Sequence, residues 1–97
     1  MERLGVDRAR QLLPALVDSA AGGTSTVLTD RGRPVAAITG ARAVTDSADA
    51  ESLGIRAARP RFFELVDLAH TTNKVTVITR RGTPLAAIVP VALIDDE

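Results

Sequence analysis

The sequence contains no cysteine, tryptophan or tyrosine, and His70 is its only histidine. Without cysteine the chain can form no disulfide, no thiolate metal site and no cysteine nucleophile. A single histidine, with no second one at a ligand spacing, gives no sign of a metal centre. No serine, histidine and carboxylate grouping, glycine-rich phosphate loop or paired-carboxylate pattern is specific enough to indicate catalysis. We therefore predict no cofactor and no metal, and we do not expect an enzyme.

Aromatic residues and long apolar runs are both scarce. Phe62 and Phe63 are the only aromatics, whereas a stacking platform for nucleic acid normally needs more, and at least one of them is expected in the core. No apolar stretch approaches the roughly twenty residues that cross a bilayer. The N-terminal sequence MERLGVDRAR also lacks the apolar segment of a signal peptide. The expectation is a cytoplasmic protein with no membrane partner.

The formal net charge of zero conceals a segregation of acids and bases along the chain. Six of the twelve acids lie in a short central segment and at the C-terminus: Asp46, Asp49, Glu51, Asp95, Asp96 and Glu97. The remainder holds twelve bases against six acids, a net charge of +6. Eleven of the twelve bases are arginine, whose planar fork suits phosphates and guanine edges, although arginine-rich sequences also follow from GC-rich coding.

The chain contains an internal repeat. Residues 4–46 realign on residues 53–96, with one residue added in the middle of the second copy. Identical residues recur first 49 and then 50 positions on, among them Leu4/Leu53, Gly5/Gly54, Ala9/Ala58, Arg10/Arg59, Leu16/Leu65, Val17/Val66, Asp18/Asp67, Arg31/Arg81, Gly32/Gly82, Pro34/Pro84, Ala36/Ala86 and Ile38/Ile88. A unit of about forty residues rarely buries enough apolar surface to fold alone. We therefore expect the copies to fold against each other as a pseudo-twofold dimer within one chain.

Each copy is predicted to form a short extended piece, a broken helix and a β-hairpin. In the first copy Asp7 is a candidate N-cap, and Pro14 splits the helical pattern into a turn at about 8–12 and a second helix; Pro60 forces a similar break. β-Branched runs on either side of Asp30–Arg33 and Arg80–Thr83 predict the hairpins, with glycine supplying positive φ in each turn. The fold class is α+β, with two βααββ units sharing an antiparallel sheet.

The repeat and the acidic segments divide the chain into four predicted segments. The first repeat covers residues 1–45 and the second covers residues 53–94. Between them, residues 46–52 form an acidic linker, which we interpret as a flexible tether because it is polar and has no apolar pattern. Residues 95–97 form an acidic C-terminus.

The order of strand, broken helix and hairpin, with VDRARQLL at the first helix start and VTVITRRGTPLAAIVP in the second hairpin, resembles the N-terminal domain of Phd/YefM-type antitoxins. The resemblance covers nearly all of both copies. In that family two such domains dimerise through a shared sheet, bind a palindromic operator and repress their own toxin-antitoxin operon. It implies here a tandem version, with both halves in one chain. Only VALIDDE follows Pro90, so the family's toxin-binding tail is expected to be missing.

The resemblance also implies DNA-contacting residues. Arg10 and Arg59 match the arginine at the helix start, and Arg80 matches the hairpin motif, with Arg31 and Arg81 beside it. Further candidates extending this basic surface are Arg8, Arg33, Arg56 and Arg61. Asp30 replaces Arg80 in the first copy, so weaker contact is expected there, or substitution by Arg33. Solvated surface charge is the alternative interpretation for all of these arginines.

The resemblance implies a sequence-specific double-stranded DNA-binding protein that acts as an antitoxin-like autorepressor, and the arginine-rich repeats agree with this expectation. Its partner is the operator DNA of a toxin-antitoxin type operon. The alternative is a protein-binding module, toxin-neutralising or adaptor, that has lost operator binding; the net charge of zero and Asp30 favour it. Whether a cognate toxin binds, and whether the chain pairs into a further homodimer, are left open.

Overall fold

A computed structural model describes residues 2–44 and 50–93, which contain four helices and one six-stranded sheet. The elements are β1 Glu2–Gly5, α1 Val6–Gln11, α2 Leu13–Ala21, β2 Thr26–Asp30, β3 Arg33–Gly40, β4 Glu51–Gly54, α3 Ile55–Ala58, α4 Phe62–Thr72, β5 Thr76–Arg80 and β6 Thr83–Val89. Short 3₁₀ turns follow β3 at Ala41–Val44 and β6 at Val91–Leu93. Within the described ranges, no helix has the length and apolar character that crossing a membrane requires.

The sheet is mixed, with strand order β1-β2-β3-β6-β5-β4. At its centre β3 runs antiparallel to β6, with Ile38 opposite Ile88. The prediction of an antiparallel sheet is wrong for the outer pairs, because β1 is parallel to β2 and β4 is parallel to β5. In each case a strand, a helical segment and a second strand follow one another, and a helical crossover of this kind joins parallel strands. The registers match as well, since Leu4 faces Leu28 and Leu53 faces Ile78.

The two prolines break the helices as their chemistry requires. Pro14 lies in the first turn of α2, where its missing N–H leaves no hydrogen bond unmade, and Pro60 lies between α3 and α4. The N-cap of α1 is Gly5 and not Asp7, because β1 leads directly into the helix from an extended residue (φ −65°, ψ 150°). Asp7 lies in the first helical turn instead, where a carboxylate is still favourable beside free N–H groups.

The core lies between the sheet and the second helix of each half. α2 and α4 each pack on both central strands, so each half's helix covers a strand of the other half. The largest fully buried apolar side chains are Phe62, Leu13, Leu28, Ile38, Leu65, Ile78 and Ile88. Ala36 and Ala86 are completely buried in the core cluster that the helices form with the sheet. α2 approaches the sheet so closely that a Cβ on Gly40 would lie 2.8 Å from the Ala20 carbonyl oxygen.

The segment between the halves is shorter than the predicted linker. Glu51 and Ser52, which were assigned to that linker, lie in β4 and pair with Thr76 and Val77. The Glu51 carboxylate accepts hydrogen bonds from Arg61 at 3.1 Å and Lys74 at 3.0 Å, which explains why an acidic residue is accommodated there. Residues 46–49 of the predicted linker, and the acidic C-terminus 95–97, lie outside the described residues.

Candidate nucleic-acid interface

The two arginines matched by the repeat, Arg10 and Arg59, meet where α1 ends beside α3. The Arg10 Nε donates a hydrogen bond to the Arg59 carbonyl oxygen at 3.2 Å. The Arg10 guanidinium also lies over the Phe63 ring, 5.8 Å from its centroid, which is within the range of a cation–π contact. Among the described residues, neither Nη group of Arg10 has a hydrogen-bond partner. Its guanidinium is therefore held in position with donors still available.

Arg59 is placed differently, although the sequence repeat makes it the equivalent residue. Its side chain is exposed and makes no hydrogen bond or ion pair within the described parts of the chain. The cause is visible in the repeat, since the position matching Phe63 in the first copy is Pro14, which offers no aromatic ring for a cation–π contact. Sequence analysis did not identify Phe63 as a functional residue. The feature that could have indicated a role for Phe63 is an aromatic side chain on the outer side of a helix, where it is 48% exposed.

The hairpin tips present Arg31 and Arg81 to solvent. Both residues adopt positive φ, 55° and 52°, and each is followed by a glycine with φ of 82°. Two successive residues with positive φ form the type I′ turn that suits a two-residue hairpin, which confirms the predicted role of the glycines. Arg33, at the start of β3, is also exposed beside the first tip.

At the second hairpin, Arg80 forms an ion pair with a helix of the other half. Its Nη1 donates to Asp18 Oδ1 on α2 at 2.9 Å, with the two side chains 43% and 61% exposed. An ion pair this exposed contributes only about 0–1 kcal/mol. Arg80 can thus exchange the carboxylate for a competing phosphate at little cost. We call the surface around this ion pair the second end of the molecule.

At the first hairpin, the equivalent positions hold two acids. Asp30 occupies the place of Arg80, and Asp67 on α4 occupies the place of Asp18. Both line an open cavity of about 300 Å³, and no basic side chain of the described residues pairs with either. The remaining lining residues are Val6, Asp7, Val35, Phe63, Val66 and His70. We call the surface around this cavity the first end of the molecule.

Arg61, another predicted contact, is engaged in a different role. Its guanidinium donates to Glu64 at 3.1 and 3.2 Å and to Glu51 at 3.1 Å. The carboxylates raise the pKa of Arg61, Glu64 more than Glu51, and Arg61 in turn lowers the pKa of Glu64. Hydrogen bonds from Lys74 and then Arg61 lower the pKa of Glu51. These contacts tie β4 to the start of α4, so DNA contact by Arg61 stays a prediction without support from its surroundings.

The remaining candidates, Arg8 on α1 and Arg56 on α3, are exposed. α1 contacts β2 and α3 contacts β5, so each of these short helices lies against the strand that leads into its own hairpin tip. The arrangement offers guanidinium donors to phosphate and base edges, and the described residues contain no group of three histidine or carboxylate side chains placed to hold a metal ion. Comparison with protein-family models, curated proteins and solved structures finds no match for this chain.

Proposed function

We propose that this chain binds double-stranded DNA sequence-specifically and acts as the autorepressor of a toxin-antitoxin type operon. The observation that carries the proposal is the junction of Arg10 and Arg59. Two arginines 49 positions apart in sequence are joined by one hydrogen bond, and their remaining donors are available for phosphates and base edges. Exposed arginines on α1, α3 and both hairpin tips extend the basic surface.

The proposal includes an intramolecular pseudo-twofold dimer. Support comes from the strand order, which reads alike from either edge of the sheet, and from the matching registers of the two halves. Further support comes from the core, to which each half contributes a helix that covers the other half's strand. Covalent connection makes the association of the halves independent of protein concentration. A repressor of this kind would bind its operator at concentrations where a separable dimer dissociates.

The size of the molecule limits the DNA site. Its longest dimension is 33 Å, close to the roughly 34 Å of one double-helical turn. The contacts of one molecule should therefore lie within about one turn, or about 10 base pairs. A footprint much longer than this would require a second molecule on the same DNA.

Fluorescence anisotropy on DNA from upstream of the gene tests the proposal. Specific binding should resist scrambled competitor DNA, and log affinity should fall with log salt by about 0.9 for each phosphate contacted. If both side chains contact phosphate, Arg10→Ala with Arg59→Ala should reduce that slope by about 1.8. Arg42→Ala, an exposed arginine outside the candidate set, is the control and should leave the slope unchanged. Unchanged operator affinity in the double variant at physiological salt would contradict the assignment.

A protein-binding module is the second candidate, and the cavity at the first end favours it. A cavity lined by Asp30, Asp67 and Phe63 offers carboxylates and an apolar surface to a basic side chain of a partner. Co-expression with the product of the adjacent gene tests this alternative. A stoichiometric complex that survives gel filtration, together with equal and weak affinity for operator and scrambled DNA, would favour it over repression.

A further inference from the structure

We infer that the two ends of the molecule contact DNA unequally, and that the chain therefore binds an operator with dissimilar half-sites in a single orientation. This inference rests on the proposed DNA-binding function and deepens it. An exchangeable dimer of identical subunits has two equal ends and suits a palindrome. A single chain is free of that constraint, because its two halves are separate sequences.

Two charge differences at matched positions make the first end less positive than the second, and Arg8 and Arg33, which match Ala57 and Thr83, offset them only in part. On the short helices, Asp7 of α1 corresponds to Arg56 of α3, and both are exposed. At the hairpins, Asp30 corresponds to Arg80, again with both exposed. In both cases the first end carries a negative charge where the second end carries a positive one. Both differences make the first end less attractive to phosphate than the second.

The surroundings of these residues increase the difference. At the second end Arg80 pairs with Asp18 at 2.9 Å, so the carboxylate of α2 is neutralised. At the first end Asp30 and Asp67 line one cavity, without a basic partner among the described residues. Asp7 lines the same cavity, which places three carboxylates around it. A phosphate approaching the first end meets this negative surface, whereas one approaching the second end meets Arg56 and Arg80.

A directed-cleavage experiment tests the orientation, and the absence of cysteine makes it simple. Arg33→Cys and Thr83→Cys place single thiols at matched positions of the two hairpins. Each is coupled to iron–EDTA and bound to end-labelled upstream DNA. The expected result is cleavage on one flank by one conjugate and on the opposite flank by the other. Cleavage on both flanks by each conjugate would overturn the inference while leaving DNA binding intact.

Affinity measurements on matched variants provide a second test. Arg56→Ala with Arg80→Ala should reduce the salt slope by about 1.8 and weaken binding at physiological salt at least tenfold. Asp7→Ala with Asp30→Ala, at the matched positions, should strengthen binding. The inference would be overturned if the two double variants changed DNA affinity by the same factor and in the same direction. If the unmodified protein shows no preference for upstream over scrambled DNA, the proposed function itself fails, which is a separate result.

Discussion

The cavity at the first end leads to a quantitative prediction about the thermal stability of the fold. In the second hairpin Arg80 faces Thr83 across the strands and reaches Asp18; in the first hairpin Asp30 faces Arg33 and lies beside the cavity that Asp67 also lines. The double substitution Asp30→Arg with Arg33→Thr gives the first hairpin the side chains of the second. The change to threonine is needed because two arginines directly opposite each other would repel. We expect the new guanidinium to pair with the Asp67 carboxylate.

The magnitude follows from the exposure of the existing pair. The Arg80 and Asp18 side chains are 43% and 61% exposed, so solvent screening limits such a pair to the range for surface ion pairs, about 0.2–1 kcal/mol. Taking about 0.5 kcal/mol, and about 4–8 °C per kcal/mol for a domain of up to about 100 residues, the double variant should melt about 2–4 °C higher. At 1 M salt, where the screening length is about 3 Å, most of the gain should disappear.

A double-mutant cycle with Asp67→Ala distinguishes this pairing from a general charge effect. Thermal unfolding followed by circular dichroism is measured for the wild type, the hairpin variant, Asp67→Ala and their combination. The hairpin variant should gain stability only when the Asp67 carboxylate is present. An equal gain in melting temperature in the Asp67→Ala background would refute the reasoning, because the new arginine would then stabilise the fold without pairing with the Asp67 carboxylate.

Three further predictions concern the core, the junction and pH. Gly40→Ala should lower the free energy of unfolding by about 1–3 kcal/mol, since its Cβ would meet a backbone oxygen of α2 at 2.8 Å. Gly22→Ala, whose Cβ would make only ordinary contacts of 3.6 and 3.7 Å, serves as the control in urea titrations. Arg10→Lys should reduce operator affinity more than Arg59→Lys, because only the first guanidinium is held by a hydrogen bond and an aromatic ring; anisotropy reporting equal losses would contradict this. Hydrogen bonds lower the pKa of Glu51, from Lys74 and then Arg61, and the pKa of Glu64, from Arg61. Both carboxylates therefore stabilise the fold at pH values above the ordinary glutamate pKa, and this contribution is lost as the pH falls through their lower folded-state pKa values. The difference in urea stability between the wild type and Arg61→Ala should therefore be present at pH 7 and shrink as the pH is lowered below the ordinary range of glutamate, and a difference that does not change with pH would contradict this.

Local features of the fold were predictable because they depend on neighbouring residues. Pro14 and Pro60 determine where the helices break, and Gly32 and Gly82 mark the hairpin turns, since each acts through its own backbone. The parallel pairing of β1 and β4 was missed, because the direction of a four-residue strand is set by the crossover that follows it and not by its own side chains.

The site was predictable only in part, for a related reason. The repeat identified Arg10 and Arg59 as equivalent, but not that one donates to the carbonyl of the other. Likewise, the ion pair of Arg80 joins residues 62 positions apart in different halves. Such contacts depend on how α2 and α4 pack across the two halves, which a pattern within either copy does not contain. Phe63 was overlooked because its role depends on that packing.

The order of the strands also has a consequence for self-association. With β3 and β6 at the centre, the sheet ends at β1 and β4, which are equivalent elements of the two halves. If β1 of one molecule paired with β4 of the next, the sheet would be extended from molecule to molecule without closing, and filaments would form. Both edge strands contain only four residues and begin with an acid, Glu2 and Glu51, features that oppose edge-to-edge pairing. Variants in which β1 or β4 is extended, or in which Glu2 or Glu51 is replaced by a neutral residue, should thus be examined for fibre formation as well as for DNA affinity.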